Sequence, residues 1–507
     1  MSHRKTTTQG RNLASALQIP VLVLLFTGAA FYEALQMSAL SDTDIWWHLR
    51  TGVWILQNHT VPHQGVFSQY ASMPWIASSW GYDALLAGLY QLLGLRALSV
   101  VLMGFRVALA VLTFFLAGGR HGNFWAAVLV SAVTQYVSLA LQPPPIFFSV
   151  LFFGIELALL FESCRSGSAR PLFWLPPLFL LWANLHNEFV LGLGLLLLFL
   201  LATLISAALK ILPAVRSTVS FGALAAVLVC SVLASLVTPY GIHLFSDLLK
   251  DAYSKAAFRY LPGMYPMGFR SPRDYVLALL VMSAFLILGH KRSWDLVKLS
   301  LMLTTTLIAF RMARDGWCAV LCAVAIIGEE LAAASSRSDA LCGGSATDSV
   351  VGKSFSKRDT LLSAVLVGIV FVAAAIHLPA RTNDVMHRLE GIFPVQAADF
   401  IRANHLQHPL FNLEEWGGFL IWYLPEYPVS IDGRVDLYGD ELLTRYLNVI
   451  GGGRLEAEPA FADAGTILLK KNSETATALM TIPSLSARYR VVYSDELAVV
   501  ITPNGRR

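Results

Sequence analysis

Residues 19–50 read IPVLVLLFTGAAFYEALQMSALSDTDIWWHLR. The first part is apolar, with no charge before Glu33, and at about 1.5 Å of rise per residue it is long enough to cross the hydrocarbon core of a bilayer. The end turns abruptly polar, with Asp42, Asp44, Trp46, Trp47 and His48 crowded together. The residues before it are polar and basic (Arg4, Lys5, Arg11), and no small-x-small cleavage pattern follows the apolar run. A retained first helix is expected, opening into an acidic, aromatic loop at the membrane surface.

The rest of the chain extends that reading. Of 507 residues 56% are hydrophobic and 14% charged, against about 25% charged in an ordinary soluble domain. Further apolar segments run near 96–117, 123–141, 146–162, 172–186, 189–209, 218–238, 275–289, 295–310, 317–334 and 359–379. With the first they predict a polytopic α-helical membrane protein of about eleven transmembrane helices. A net charge of +4, with no basic run interleaved with aromatics, excludes a nucleic-acid footprint. The five cysteines (Cys164, Cys230, Cys318, Cys322, Cys342) form neither a disulfide framework nor a paired metal motif.

Residues 80–93 are apolar but too short to span comfortably, and the positive-inside rule places them along the outer face. The connectors with Arg120, Arg165, Arg170, Lys210, Arg216, Lys291, Arg292, Arg337, Lys353, Lys357 and Arg358 then share the side of the basic N-terminus, the cytoplasmic side. Two basic groups are left on the outer face: Arg259, Arg270 and Arg273 in the long connector 239–274, and the pair Arg311 and Arg314. Cations kept there against the rule suggest anion binding. For Arg311 and Arg314, neutralising Asp315 or anchoring to lipid headgroups is the competing explanation.

Two domains are expected: a transmembrane domain over 1–379, with a first outer loop at 41–79 and the long outer loop at 239–274, and a periplasmic α/β domain over 380–507. In the latter, helices are expected at 395–404 and 440–449 and strands at 409–412, 429–432, 466–470, 489–494 and 498–501. It lacks a phosphate loop, a GxSxG elbow and an HExxH motif. Its Ile431-Asp432-Gly433-Arg434 string reads first as a turn secured by a charge pair, and otherwise as a polar-ligand site at a strand end.

The first outer loop is the strongest site candidate. Asp44 or Asp42 can take a proton from a hydroxyl or hold a divalent cation beside a diphosphate. Asp42 or Ser41 could instead cap the next helix, which would use one carboxylate but not the cluster. Trp46 and Trp47 suit the headgroup belt, and His48 either binds phosphate or sits at the interface. His186, Asn187 and Glu188 collect at another membrane boundary, where His186 is either a cavity residue or a hydrogen-bonded structural one.

An acidic residue in the first outer loop, followed by surface helices and a many-spanned core, resembles the GT-C superfamily of polytopic glycosyltransferases, which includes oligosaccharyltransferases, protein mannosyltransferases and aminoarabinose transferases. The strings Asp44-x-Trp46-Trp47-His48-Leu49-x-x-Gly52, Trp182-x-Asn184-x-His186, Thr238-Pro239-Tyr240-Gly241 and Trp416-Gly417-Gly418-Phe419 through Arg434 are similar to a bacterial group within it. The resemblance implies a polyprenyl-phospho-sugar donor, transfer on the periplasmic side of the inner membrane, and Asp44 as the catalytic acidic residue with Asp42 second. It also implies that the turn holding Gln142, where related enzymes often carry a charge, approaches the active site, and that the 239–274 connector closes over substrate. Two other classes share these features: a lipid or polysaccharide transporter, disfavoured because no inverted repeat is visible, and an envelope-assembly scaffold, which would leave the acidic loop without a task.

Overall fold

The computed structural model describes residues 17–119, 123–139, 141, 145–211, 220–254, 258, 264–291, 293, 295–341, 357–379, 382–451, 453, 455 and 458–505. The chain divides into two compact units. One gathers Met1–Gln36, Val100–Thr238 and Gly263–Leu378, and the other Met37–Ser99, Pro239–Pro262 and Pro379–Arg507.

Along the sequence, α1 (Gln18–Gln36) belongs to the first unit, and α2 (Ile45–Asn58) and α3 (Trp80–Leu93) to the second. The first unit resumes within α4 (Arg96–Leu116). It continues through α5 (Phe124–Ser138), α6 (Ile146–Ser166), α7 (Leu175–Leu185), α8 (Phe189–Ala208) and α9 (Phe221–Ser235). After α10 (His243–Tyr253) of the second unit come α11 (Pro272–His290), α12 (Leu296–Arg311), α13 (Gly316–Leu341) and α14 (Lys357–Ile376) of the first. The second unit ends with α15 (Thr382–Leu389), α16 (Val395–Ala403), β1 (Leu410–Phe411), α17 (Glu414–Tyr423), α18 (Val435–Ile450), β2 (Thr466–Lys470), α19 (Glu474–Thr481), β3 (Tyr489–Ser494) and β4 (Ala498–Pro503).

The first unit is a helical bundle. Seven of its helices are long and apolar enough to cross a membrane, and α5 and α9 are shorter apolar helices. Polar side chains set several helix starts: Asn123 accepts from the Trp125 and Ala126 amides, Ser220 from Ala223, and Ser271 and Asp274 form a capping box at α11. Large side chains such as Leu24, Leu129, Leu286 and Ile369 point out of the bundle, an arrangement suited to lipid and costly in water. Inside, Phe153, Phe179 and Trp182 are fully buried, and a β-carbon on Gly328 would fall 2.1 Å from the Leu116 carbonyl oxygen, so α4 and α13 meet backbone to backbone.

In the second unit a four-stranded sheet runs β1-β2-β4-β3, with β1 parallel to β2 and the other pairs antiparallel. The expected helix at 395–404 and the strands at 466–470, 489–494 and 498–501 appear with nearly those bounds. The expected strand at 429–432 does not form. Val429 makes only an isolated bridge with Ser68, and the Ser430 amide is taken by Asn412 Oδ1, so a side chain replaces the ladder.

The larger departure is the loop at 41–79, which was assigned by sequence to the membrane domain but packs with the C-terminal unit. Gln69 donates from its amide to the Val429 carbonyl (2.9 Å) and from its side chain to the Leu410 carbonyl (2.6 Å), while Val429 donates back to the Phe67 carbonyl (3.1 Å). Tyr240 OH donates to the Pro62 carbonyl (2.8 Å) and accepts from the Ala77 amide (3.1 Å), which ties the Thr238-Pro239-Tyr240-Gly241 string to the same loop. Trp46 is no headgroup anchor. It is fully buried, edge-on to Phe419 with ring centroids 5.4 Å apart and against Trp422 at 4.7 Å.

α2 and α3 touch where Gly52 has no side chain, because a β-carbon there would lie 1.8 Å from the Asp83 carbonyl oxygen. Gly52→Ala must push the two helices apart, and overpacking of this kind costs about 1–3 kcal/mol. The variant is expected to melt below the wild type when tryptophan fluorescence is followed on heating. An unchanged melting temperature would show that α3 is free to shift.

Candidate active site

Asp42 and Asp44 enter the loop together and take different tasks. Asp42 Oδ1 accepts from the backbone amides of Asp44 and Ile45, each at 2.9 Å, and so caps the start of α2. Asp44 occupies the N-cap position itself, but its side chain makes no capping bond; Oδ1 accepts from Trp47 Nε1 at 3.1 Å. The capping alternative therefore accounts for Asp42 and leaves Asp44 for something else.

The Asp44 carboxylate is gripped from the C-terminal part of the unit. A β-carbon on Gly433 would fall 1.9 Å from Asp44 Oδ1, one on Gly418 2.2 Å from the Thr43 carbonyl oxygen, and one on Gly417 2.1 Å from the Ile431 carbonyl oxygen. Asp432 is satisfied within its own turn: Arg434 binds it through Nε and Nη2, both at 2.8 Å, and Tyr438 OH donates to it at 2.5 Å. Arg434 Nη1 also donates to the Val66 carbonyl, and its guanidinium lies over the Trp75 ring at 4.7 Å. The turn is secured by a charge pair, and through Gly433 it is also a wall of the site.

His48, one turn after Asp44, is buried and stacked on Trp47. Its Nδ1 is 2.6 Å from Oδ1 of Asp83, itself 0% exposed. That ring nitrogen serves a buried carboxylate. Sequence reasoning missed Asp83. The available signal was a carboxylate on the buried face of α3, beside Tyr82 and Leu86, where an acid needs a partner. Glu414, at the start of α17, was missed as well.

Proton affinities in the cluster rise together. Asp42 is pushed up to about 7, first by burial and then by Asp44, against the pull of its two backbone bonds. Burial raises Asp44 too, with Asp432 adding to the effect and His48 and the Trp47 bond opposing it. Glu414 rises to about 7 through burial and its neighbours Asp44, Asp432 and Glu415. Burial raises Asp83, with His48 opposing. Among the described residues, no group of three or more His, Cys, Asp or Glu is arranged to hold a metal ion.

The other sequence candidates belong to the first unit or fall outside the described residues, as Gln142 and Arg259 do. Trp182 Nε1 donates to Ser149 Oγ, which also pairs with His186 Nδ1, both at 2.7 Å; this is the structural alternative for His186. Arg314 is engaged by Glu188 (3.3 Å) and Asp315 (3.4 Å), the competing explanation for that arginine. Asn187 and Arg273 are half-buried, and Arg270 and Arg311 are exposed.

No family model matches the chain, and no curated protein does. Among solved structures it is similar to the Archaeoglobus fulgidus oligosaccharyltransferase tethered with an acceptor peptide containing the NVT sequon (TM-score 0.52, 10% identity, covering 94% of this chain and 74% of that one). It is likewise similar to the archaeal oligosaccharyltransferase AglB from Archaeoglobus fulgidus in complex with an inhibitory peptide and a dolichol-phosphate (TM-score 0.50, 10% identity, covering 94% and 72%). At this identity the likeness establishes the fold alone, that of the archaeal oligosaccharyltransferase structures.

Native Asp42 keeps a proton that the unfolded chain, with an ordinary value of 3.8, has already lost as the pH approaches about 7. Stability is therefore full below 3.8 and falls as pH rises through that window. The midpoint of chemical unfolding is expected to drop over this range, and Asp42→Asn, which keeps a capping oxygen, to flatten the slope. A midpoint that instead rises with pH would show that the carboxylates are held ionised.

Proposed function

We propose that this chain is a membrane glycosyltransferase that moves a sugar from a polyprenyl-phosphate-linked donor to an acceptor on the periplasmic side of a bacterial inner membrane, with Asp44 as the catalytic base. In this reading the bundle has about eleven spans, the N-terminus is cytoplasmic and the C-terminal residues are periplasmic. The GT-C-like fold supports the reaction class.

The observation that carries the reading is the Asp44 carboxylate: relieved of capping by Asp42, seated on Gly433, and raised in proton affinity by burial. Glycosyl transfer needs a group that takes the acceptor's proton as its oxygen bonds to the anomeric carbon and the bond to phosphate breaks. A base with a raised affinity holds that proton better than an ordinary aspartate. Asp42 orients the loop as second carboxylate. Of the arginines that the sequence offers for the departing phosphate, Arg314 is already engaged by two carboxylates.

The test is transfer by the full-length protein reconstituted with a polyprenyl-phospho-sugar pool, with any co-purified lipid identified by mass spectrometry. Asp44→Asn is expected to lower turnover by about 10²–10⁴-fold, the usual contribution of a general base, with the melting temperature unchanged. The wild-type rate should fall in acid at a higher pH than for an ordinary aspartate. Full cellular function in an Asp44→Asn strain would sink the assignment and favour a transporter or scaffold.

A further inference from the structure

Glu156 lies at the middle of α6 in the membrane-type bundle, is 0% exposed, and neither carboxyl oxygen has a hydrogen-bond partner. Its space is made by the neighbouring helix: a β-carbon on Gly192 of α8 would fall 2.8 Å from Glu156 Oε2 and 2.5 Å from the Trp182 ring of α7. Among the described residues Glu156 forms no ion pair. From α7 comes Trp182, whose ring nitrogen is committed to Ser149, and from α8 comes Gly192. From α13 comes Cys322, buried and hydrogen-bonded to Thr305 of α12. The charged groups stand further along, at one end of the same four helices: Glu188, Arg314 and Asp315, with His186 beside them.

A bare carboxylate without a countercharge or a donor is among the most unfavourable groups to place in hydrocarbon, and intramembrane acids mark functional sites by default. Asp315 lies in the turn just before α13, and Cys318 and Cys322 follow one helical turn apart on that helix, all three buried. A cavity of about 310 Å³ reaches within one turn of Glu156, walled by Phe153 on α6, Leu195 on α8, Thr305 on α12 and Cys318 on α13.

We propose that Glu156 is a proton-binding site within the membrane unit, neutral when loaded and open to small apolar reagents through the adjoining cavity. The loading step is a transfer from hydronium to the carboxylate, leaving water outside and a neutral carboxylic acid inside. The site is independent of Asp44 and stands or falls without the transferase reading.

A hydrophobic carbodiimide reads this state directly. The acid proton goes to a carbodiimide nitrogen, the carboxyl oxygen bonds to the central carbon, and the acyl group migrates to nitrogen; the peptide gains one whole reagent and loses nothing. Full-length wild-type protein treated with dicyclohexylcarbodiimide is expected to carry the adduct on Glu156 in peptide mass spectra. Labelling should be faster as pH is lowered and absent in Glu156→Gln. In parallel, the infrared difference between wild type and Glu156→Gln should contain a carboxylic carbonyl band that shifts in D2O. If the variant fails to fold, the pH dependence of wild-type labelling decides alone. Glu156 left unlabelled at every pH, or a carbonyl band that never shifts in D2O, would overturn the proposal in favour of a sealed structural acid.

Discussion

Three absent β-carbons hold the second unit together. At Gly417, Gly418 and Gly433 the backbone or carboxylate of another segment comes so close that a methyl group would collide with it, at 2.1, 2.2 and 1.9 Å. These contacts bring the acidic loop after α1, the start of α17 and the Asp432 turn into one wall, although more than 370 residues of sequence separate Thr43 from Gly418. The burial that raises the carboxylates follows from that closeness, because Asp44, Asp432 and Glu414 shield one another from water while repelling one another.

Within the wall the acids are sorted by what each is given. Asp432 receives a bidentate arginine and a tyrosine, so it is an ion pair and part of the frame. Asp83 receives one imidazole nitrogen, and Asp42 two backbone amides. Asp44 receives a tryptophan N–H and the face of a glycine. Asp432 is neutralised by a bidentate arginine and Asp44 is not, and that difference separates a chemical role from a structural one.

Much of this architecture was legible in local patterns. Apolar runs delimited the bundle's helices closely, because the length of a helix and its hydropathy are written in consecutive residues. The short apolar stretch at 80–93 was read as a surface helix, and its bounds coincide with α3. What was not legible depends on partners far away in sequence. Trp46 looks like a headgroup anchor until Phe393, Phe419 and Trp422 close over it. The 429–432 run looks like a strand until Asn412 takes its hydrogen bonds. The loop at 41–79 looks like part of the membrane domain because it lies between two spans, and only the pairing with Val429 and Leu410 reveals where it packs.

Asp83 shows how a site residue escapes a reading based on motifs. A single acid in a short apolar helix is indistinguishable from a surface charge unless its face is known. Spacing places it with Tyr82 and Leu86, and burial then demands a partner. His48 is that partner, and the Gly52 contact is what lets α3 come near enough for a 2.6 Å bond. The glycine in the Trp46-Trp47-His48-Leu49-x-x-Gly52 string thus serves the histidine four residues before it: the string encodes a helix packing distance, and the packing distance sets which carboxylate the imidazole can reach.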